Sequence, residues 1–217
     1  MEKISDLTVH RLVLYRKLLK RLMNEGQKSV YSYKLATMAG RTPAQVRRDL
    51  MEVGYFGTPV HGYSVEELKK SIDDFIDHPQ GQEVAIIGLG NLGRAILDYC
   101  RGLNPKLNIT VAFDKDPKKV DRIINGCKCY HIDKLVEVIR EKNIKVAILS
   151  IPADDAQSVA DGLVEAGIKA ILNYSPGRLY IPENIYVENR DMMLALEKAA
   201  FFAKIIEEGK SYGKIRH

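Results

Sequence analysis

Apolar residues recur at helical spacing from Leu7 to Met23, where Val9, Leu12, Val13, Leu19 and Leu22 alternate with basic positions. That period predicts an amphipathic helix, stopped by Gly26 just past Asn24. Ser32 is a cap for a short second helix, Tyr33 to Ala39, which Gly40 ends. Thr42-Pro43 then puts a capping hydroxyl before a proline at the first helical position, so a third helix runs from Pro43 to about Val53. The stretch from Gly54 to Tyr63 combines glycines, a proline and β-formers, and predicts a short hairpin. Ser64-Val-Glu-Glu67 is a capping box that opens a fourth helix to about Asp77. Three helices, a hairpin and a further helix make the pattern of a winged helix-turn-helix domain. Pro79-Gln-Gly81 reads as a linker.

The texture changes at Glu83. Short apolar runs at Val84–Ile87, Ile109–Phe113, Val146–Ser150, Ala170–Asn173 and Tyr186-Val187 alternate with helical segments, among them Asp133–Lys142 and Asp154–Ala166. This βαβ alternation predicts a parallel sheet covered on both faces, the α/β class of a Rossmann domain. A final helix from Asp191 to Glu208 is rich in Leu, Ala and Phe, and apolar enough to need burial by a second subunit. The expected domains are therefore 1–79, 80–189 and a terminal dimerisation segment, 190–217.

Charge sharpens the first domain. Residues 1–50 hold eleven Lys or Arg against four Asp or Glu, a net of +7, whereas residues 51–80 hold two against six, a net of −4. A basic segment on a helix-turn-helix pattern is the footprint of a nucleic-acid contact, although a solvated lysine-rich face would show the same charge. Arg47 and Arg48 on the third helix are suited to base edges and phosphates, since arginine matches guanine O6 and N7 bidentately. No run approaches the length of a membrane span, and Met1-Glu-Lys-Ile-Ser lacks an apolar signal core, so a cytoplasmic protein is expected. The three cysteines, Cys100, Cys127 and Cys129, form no disulfide framework or evident metal site.

The second domain carries Gly88-Leu-Gly90-Asn91-Leu92-Gly93 directly after a strand and at the start of a helix, with Asp114 following 21 positions after Gly93. In that context Gly88 makes the tight turn, Gly90 admits a pyrophosphate and Gly93 lets the helix approach the strand. Asp114 is expected to accept hydrogen bonds from both adenosine ribose hydroxyls and to oppose a 2′-phosphate, favouring NAD(H); Lys115 weakens that preference. Ile151-Pro152 and Asn173 end later strands, at the sheet edge where ligands sit. A hydride-transfer enzyme needs an acid or base beside the nicotinamide. His10, His61 and His78 precede this domain, His217 is the last residue, and His131 reads as a surface group. A small NAD-dependent oxidoreductase with a helical appendage stays as the alternative.

These features together resemble the Rex family of redox-sensing transcriptional repressors. The matching residues are Arg11-Leu12, Val46-Arg47-Arg48-Asp49, Gly62-Tyr63, the glycine loop, Ala156-Gln157, Gly167-Ile-Lys, Ile171-Leu-Asn-Tyr174 with Pro176, and Asp191. The resemblance implies a homodimer with exchanged C-terminal helices that binds a palindromic operator and leaves it when NADH binds. It also places Tyr99 and Asp191 near the nicotinamide at the subunit interface. The expected DNA-facing residues are Arg11, Lys17, Gln45, Arg47, Arg48 and His61. The chain departs from the family pattern at Met51-Glu-Val-Gly54 and in the wing at Thr58-Pro-Val-His61.

Overall fold

A computed structural model describes residues 4–58 and 61–210. Pro59 and Val60 of the expected wing, and residues 211–217 of the expected terminal segment, lie outside the described residues. The chain divides into two compact units between Pro79 and Gln80.

The first unit contains α1 (Asp6–Asn24), β1 (Ser29–Val30), α2 (Ser32–Ala39), α3 (Pro43–Glu52), β2 (Tyr63–Ser64) and α4 (Val65–Ile76). Side-chain caps hold three of the four helix starts: Ser5 accepts from the Thr8 N–H, Thr42 from Gln45 and Ser64 from Glu67. The second helix begins one residue earlier than expected, with Tyr31 as its cap position and no side-chain cap bond. Ser32 instead accepts a hydrogen bond from Arg47 Nη1 at 3.3 Å. The core draws Leu12, Tyr15, Leu19 and Leu22 from α1 against Leu35, Val46, Leu50, Leu68 and Ile72. Val9 and Val13 are only half-buried, and Tyr15 is fully buried in their stead.

The expected hairpin is not self-contained. Thr58 and Gly62 form a single bridge, while Tyr63-Ser64 pairs antiparallel with Ser29-Val30, a strand that precedes the whole helix-turn-helix. The wing is therefore stitched to the chain ahead of α2.

The second unit is doubly wound. Its strands are β3 (Gln82–Ile87), β4 (Leu107–Asp114), β5 (Ile123–Ile124), β6 (Cys127–His131), β7 (Val146–Leu149), β8 (Ala170–Asn173) and β9 (Tyr186–Asn189). They lie in the order β5-β6-β4-β3-β7-β8-β9, all parallel except the short β5, which returns antiparallel on β6. Helices α5 (Asn91–Cys100), α6 (Leu135–Glu141) and α7 (Ala153–Ala166) lie between the strands in sequence, with a 3₁₀ turn (Ile132–Lys134) ahead of α6. Strand residues alternate between two cores: Ala85, Ile87, Val111, Phe113, Ala147 and Leu149 pack with α6 and α7, while Val84, Ile86, Ala112 and Ile148 pack with Ile96 and Leu97 of α5. Burial on both faces is why these strands read as continuous apolar runs. Cys127 and Cys129 belong to the second core, where burial pushes their thiols up to about 12 and about 11.

The last helix, α8 (Met192–Glu207), contains no buried residue. Met192, Met193, Leu194, Leu196, Phe201 and Ile206 are all exposed.

Candidate functional site

The glycine loop joins β3 to α5. Gly88 has φ +92°, and a Cβ there would lie 2.5 Å from the Ser150 carbonyl oxygen, so both conformation and space demand glycine. A Cβ on Gly93 would collide with the Gly88 carbonyl. Gly90 differs from both. Its φ is an ordinary −69°, and a Cβ there would meet nothing within 4 Å. Among the described residues, no packing contact requires glycine at this position. Gly90 also caps α5 without a side-chain bond, leaving the helix's first N–H groups and its positive dipole end open to an anion. Ser150 braces the loop by donating to the Ile87 and Gly88 carbonyls at 3.1 and 2.9 Å.

Beside the loop lies a cleft of about 390 Å³ at the carboxyl ends of β3, β4 and β7. The expected residues Gly88, Gly90, Asp114, Lys115, Ile151 and Pro152 all line it. Sheet order reverses between β4 and β7 around β3, and this switch point is where doubly wound folds take their ligands. Phe113, Ile132, Ile151 and Val159 give apolar walls suited to a planar base. Sequence reasoning did not single out Lys119, Asp155, Ser150 and Ser158, which line the cleft as well.

Asp114 is more committed than expected. It is buried and accepts from the Leu89 N–H at 2.8 Å, the Lys119 ammonium at 2.9 Å and the Asp116 N–H at 2.9 Å. Burial pushes its carboxyl up, but the Asp116 N–H, Lys119 and the Leu89 N–H outweigh burial and hold it below the usual carboxylate range. A carboxylate offers about four acceptor positions. Three of these are taken within the chain, two by backbone N–H groups and one by Lys119.

Asn173 is held by its own loop and by β9. Its amide donates to the Asn189 side chain at 2.9 Å and to the Gly177 carbonyl at 3.4 Å, and its oxygen accepts from the Ser175 N–H. It shapes the loop after β8 and does not line the cleft. Asn91 bonds Arg94, and Leu92 is part-exposed on α5. Tyr99 is 76% exposed on α5, and Asp191 caps α8 by accepting from the Leu194 N–H. Within one chain neither of these two lines the cleft.

In the first unit, Arg47 and Arg48 stand exposed on α3, with Ala44 and Met51 on the same face. Lys17 and His61 are exposed, and Gln45 is half-buried. Arg11, also expected at DNA, is held within this unit. Its Nε and Nη2 both reach the Asp49 carboxylate at 2.7 Å, and its side chain is mostly covered. Asp49 further accepts from Tyr15 and Gln45, each at 2.8 Å. Burial raises the Asp49 carboxyl, yet the bonds from Arg11, Gln45 and Tyr15 hold it below its ordinary value. This buried network locks α3 to α1, so Arg11 positions the third helix.

These two units define a class: a winged helix-turn-helix protein that carries a Rossmann dinucleotide-binding unit. The family model described as "CoA binding domain" matches residues 80–177, and that described as "Putative DNA-binding protein N-terminus" matches residues 3–50. A redox-sensing transcriptional repressor Rex from Syntrophobacter fumaroxidans is 38% identical over 92% of this chain and 95% of its own. Another from Geobacillus kaustophilus is 40% identical over 93% and 94%. Among solved structures, RSP in complex with beta-NAD+ and operator DNA aligns with a TM-score of 0.88 at 32% identity, covering 95% of each chain. RSP in complex with beta-NADH aligns at 0.83 and 31%, covering 95% of this chain and 97% of its own. The chain belongs to the Rex family of redox-sensing transcriptional repressors.

Proposed function

We propose that this chain represses transcription by binding palindromic operator DNA as a homodimer, and that NADH binding to its Rossmann unit releases it. The observation that carries the reading is the glycine loop, in which Gly90 is free of any packing requirement, set in a family whose members are named as redox-sensing repressors. The solved relatives with beta-NAD+ and operator DNA, and with beta-NADH, support the same pairing of ligands.

The roles follow from chemistry. The first-turn N–H groups of α5, at Asn91 and Leu92, would hold the pyrophosphate, and Asp114 one ribose hydroxyl. Ile151 and Pro152 would wall the adenosine end, beside Lys115. Arg47 would read a base edge, with Arg48, Lys17, Gln45 and His61 on bases or phosphates. Two copies joined through the apolar face of α8 would set two recognition helices at a fixed spacing. Oxidised nicotinamide is cationic and planar while the reduced ring is neutral and puckered, and this difference supplies the signal. To transmit it, side chains from both copies must differ in their contacts between the two states, and Tyr99 and Asp191 are the candidates. On this reading the chain is a regulator and not a hydride-transfer catalyst.

Gel shifts on genomic fragments, titrated with NADH and NAD+, test the proposal. A sequence-preferring complex should dissociate as NADH rises. In Tyr99→Phe and Asp191→Asn it should persist to higher NADH; asparagine is chosen because it keeps the cap on α8. A complex indifferent to NADH would overturn the reading.

A further inference from the structure

Two lysines line the cleft, and each is already held by a carboxylate. Lys119 bonds Asp114 and lies 3.8 Å from Asp116. Lys115 bonds Asp155 at 2.8 Å. The charged groups of the lining, Lys115, Lys119, Asp114 and Asp155, therefore sum to zero. The two pairs differ in how firmly they are set. Asp114 and Lys119 are largely covered, and Asp114 is tied to the backbone N–H groups of Leu89 and Asp116, whereas Lys115 is 73% exposed. Lys115 directly follows Asp114 at the carboxyl end of β4, the place where a basic residue accommodates the 2′-phosphate in dinucleotide folds that take NADP(H). Asp155 comes from elsewhere in the chain, in the first turn of α7, where a carboxylate is favoured by the helix dipole.

We propose that Asp155 is a cofactor-selectivity residue: by holding the Lys115 ammonium it denies a 2′-phosphate the more mobile of the two lysines that line the cleft among the described residues, and so keeps the site selective for NAD(H). Asp114 alone is a weak barrier, because Lys119 already offsets its charge. Selectivity is then shared between a fixed acid on β4 and an acid on α7 that occupies the neighbouring lysine.

This inference rests on the cleft being the adenosine pocket, and the test separates the two. Calorimetry on the full chain gives dissociation constants for NADH and NADPH in wild type, Asp155→Asn and Asp155→Asn/Lys115→Met. Wild type should bind NADH more tightly than NADPH. In Asp155→Asn the NADPH-to-NADH ratio of dissociation constants should fall about fivefold, the size of an exposed ion pair. Removing the freed lysine in the double variant should return the ratio to the wild-type value or above. A ratio unmoved in Asp155→Asn overturns the selectivity role while leaving the NADH site standing. An equal fall in the double variant also overturns it, since the effect would then be the lost acid charge and not the released lysine. Wild type that binds neither dinucleotide overturns the pocket reading and this inference together.

Discussion

Replacing Asp49 tests how the recognition helix is held. Its carboxylate takes four hydrogen bonds: two from Arg11, one from Tyr15 and one from Gln45. Asp49 is 1% exposed and Tyr15 is fully buried. In Asp49→Ala the Arg11 guanidinium and the Tyr15 hydroxyl lose their shared acceptor in a nearly dry site. Removing one partner of a buried ion pair costs about 3–5 kcal/mol, against about 0–1 kcal/mol for an exposed pair. A unit of this size has a total stability of roughly 4–11 kcal/mol. Hydrogen exchange by mass spectrometry on the full chain reads the effect locally: peptides across Leu12–Leu22 and Val46–Leu50 should lose protection by about two to four powers of ten. The pH dependence has a definite sign. Because the folded carboxyl lies below its unfolded value of about 3.9, its contribution is present above that pH and disappears as pH falls through the folded value. The gap between wild type and Asp49→Asn should therefore narrow under acid. A protection loss under about fivefold at neutral pH would mean that the network behaves as an exposed pair and does not lock the helix.

Other substitutions probe separate parts of the molecule. Gly90→Ala should melt like wild type yet bind NADH at least about tenfold more weakly in calorimetry, whereas Gly93→Ala should lose about 1–3 kcal/mol of stability through overpacking. Arg47→Ala should weaken operator binding by about 1–3 kcal/mol and random DNA much less, measured by competitive gel shift. Leu196→Lys with Phe201→Glu should leave the single-chain fold within about 0.5 kcal/mol of wild type but sediment as a monomer, since both side chains are exposed in one chain. An intact dimer would place the interface elsewhere.

What could be seen in the sequence followed from how local the determinant was. Thr42-Pro43 and Ser64-Val-Glu-Glu67 carry their helix starts within four residues, and both caps form. The main strands were visible because burial on two faces makes them uniformly apolar. β5 was not, since Ile123-Ile124 is too short to show a period. The hairpin closes at Thr58 and Gly62, but its pairing with Ser29-Val30 was not visible, because that strand lies more than thirty residues upstream and a turn pattern does not name a distant strand. Tyr15 escaped the core because its ring is apolar while its hydroxyl, counted as polar, is satisfied by Asp49 from another helix. In the cleft, the glycine spacing announced the loop and Asp114 the acid. Lys119 and Asp155 were silent, because their pairing depends on side-chain direction across β4 and α7. Arg11 was expected at DNA and Asn173 at the cofactor; the internal partners that burial gives both, Asp49 for Arg11 and Asn189 for Asn173, come from distant parts of the chain that no local pattern names.

At sixteen residues α8 lies close to the length below which an isolated helix is marginal in water, and it has no buried residue to supply tertiary packing. On the proposed pairing of two copies through α8, the segment should fray in a lone chain, so that its helicity and the pairing become one linked event. Mass action then enters regulation directly. Dilution would melt α8 and separate the recognition helices at once, making the amount of protein in the cell a second input alongside the nicotinamide ratio. Far-ultraviolet dichroism per residue should accordingly rise with protein concentration before it levels off, and its midpoint would give the concentration below which operators go unread.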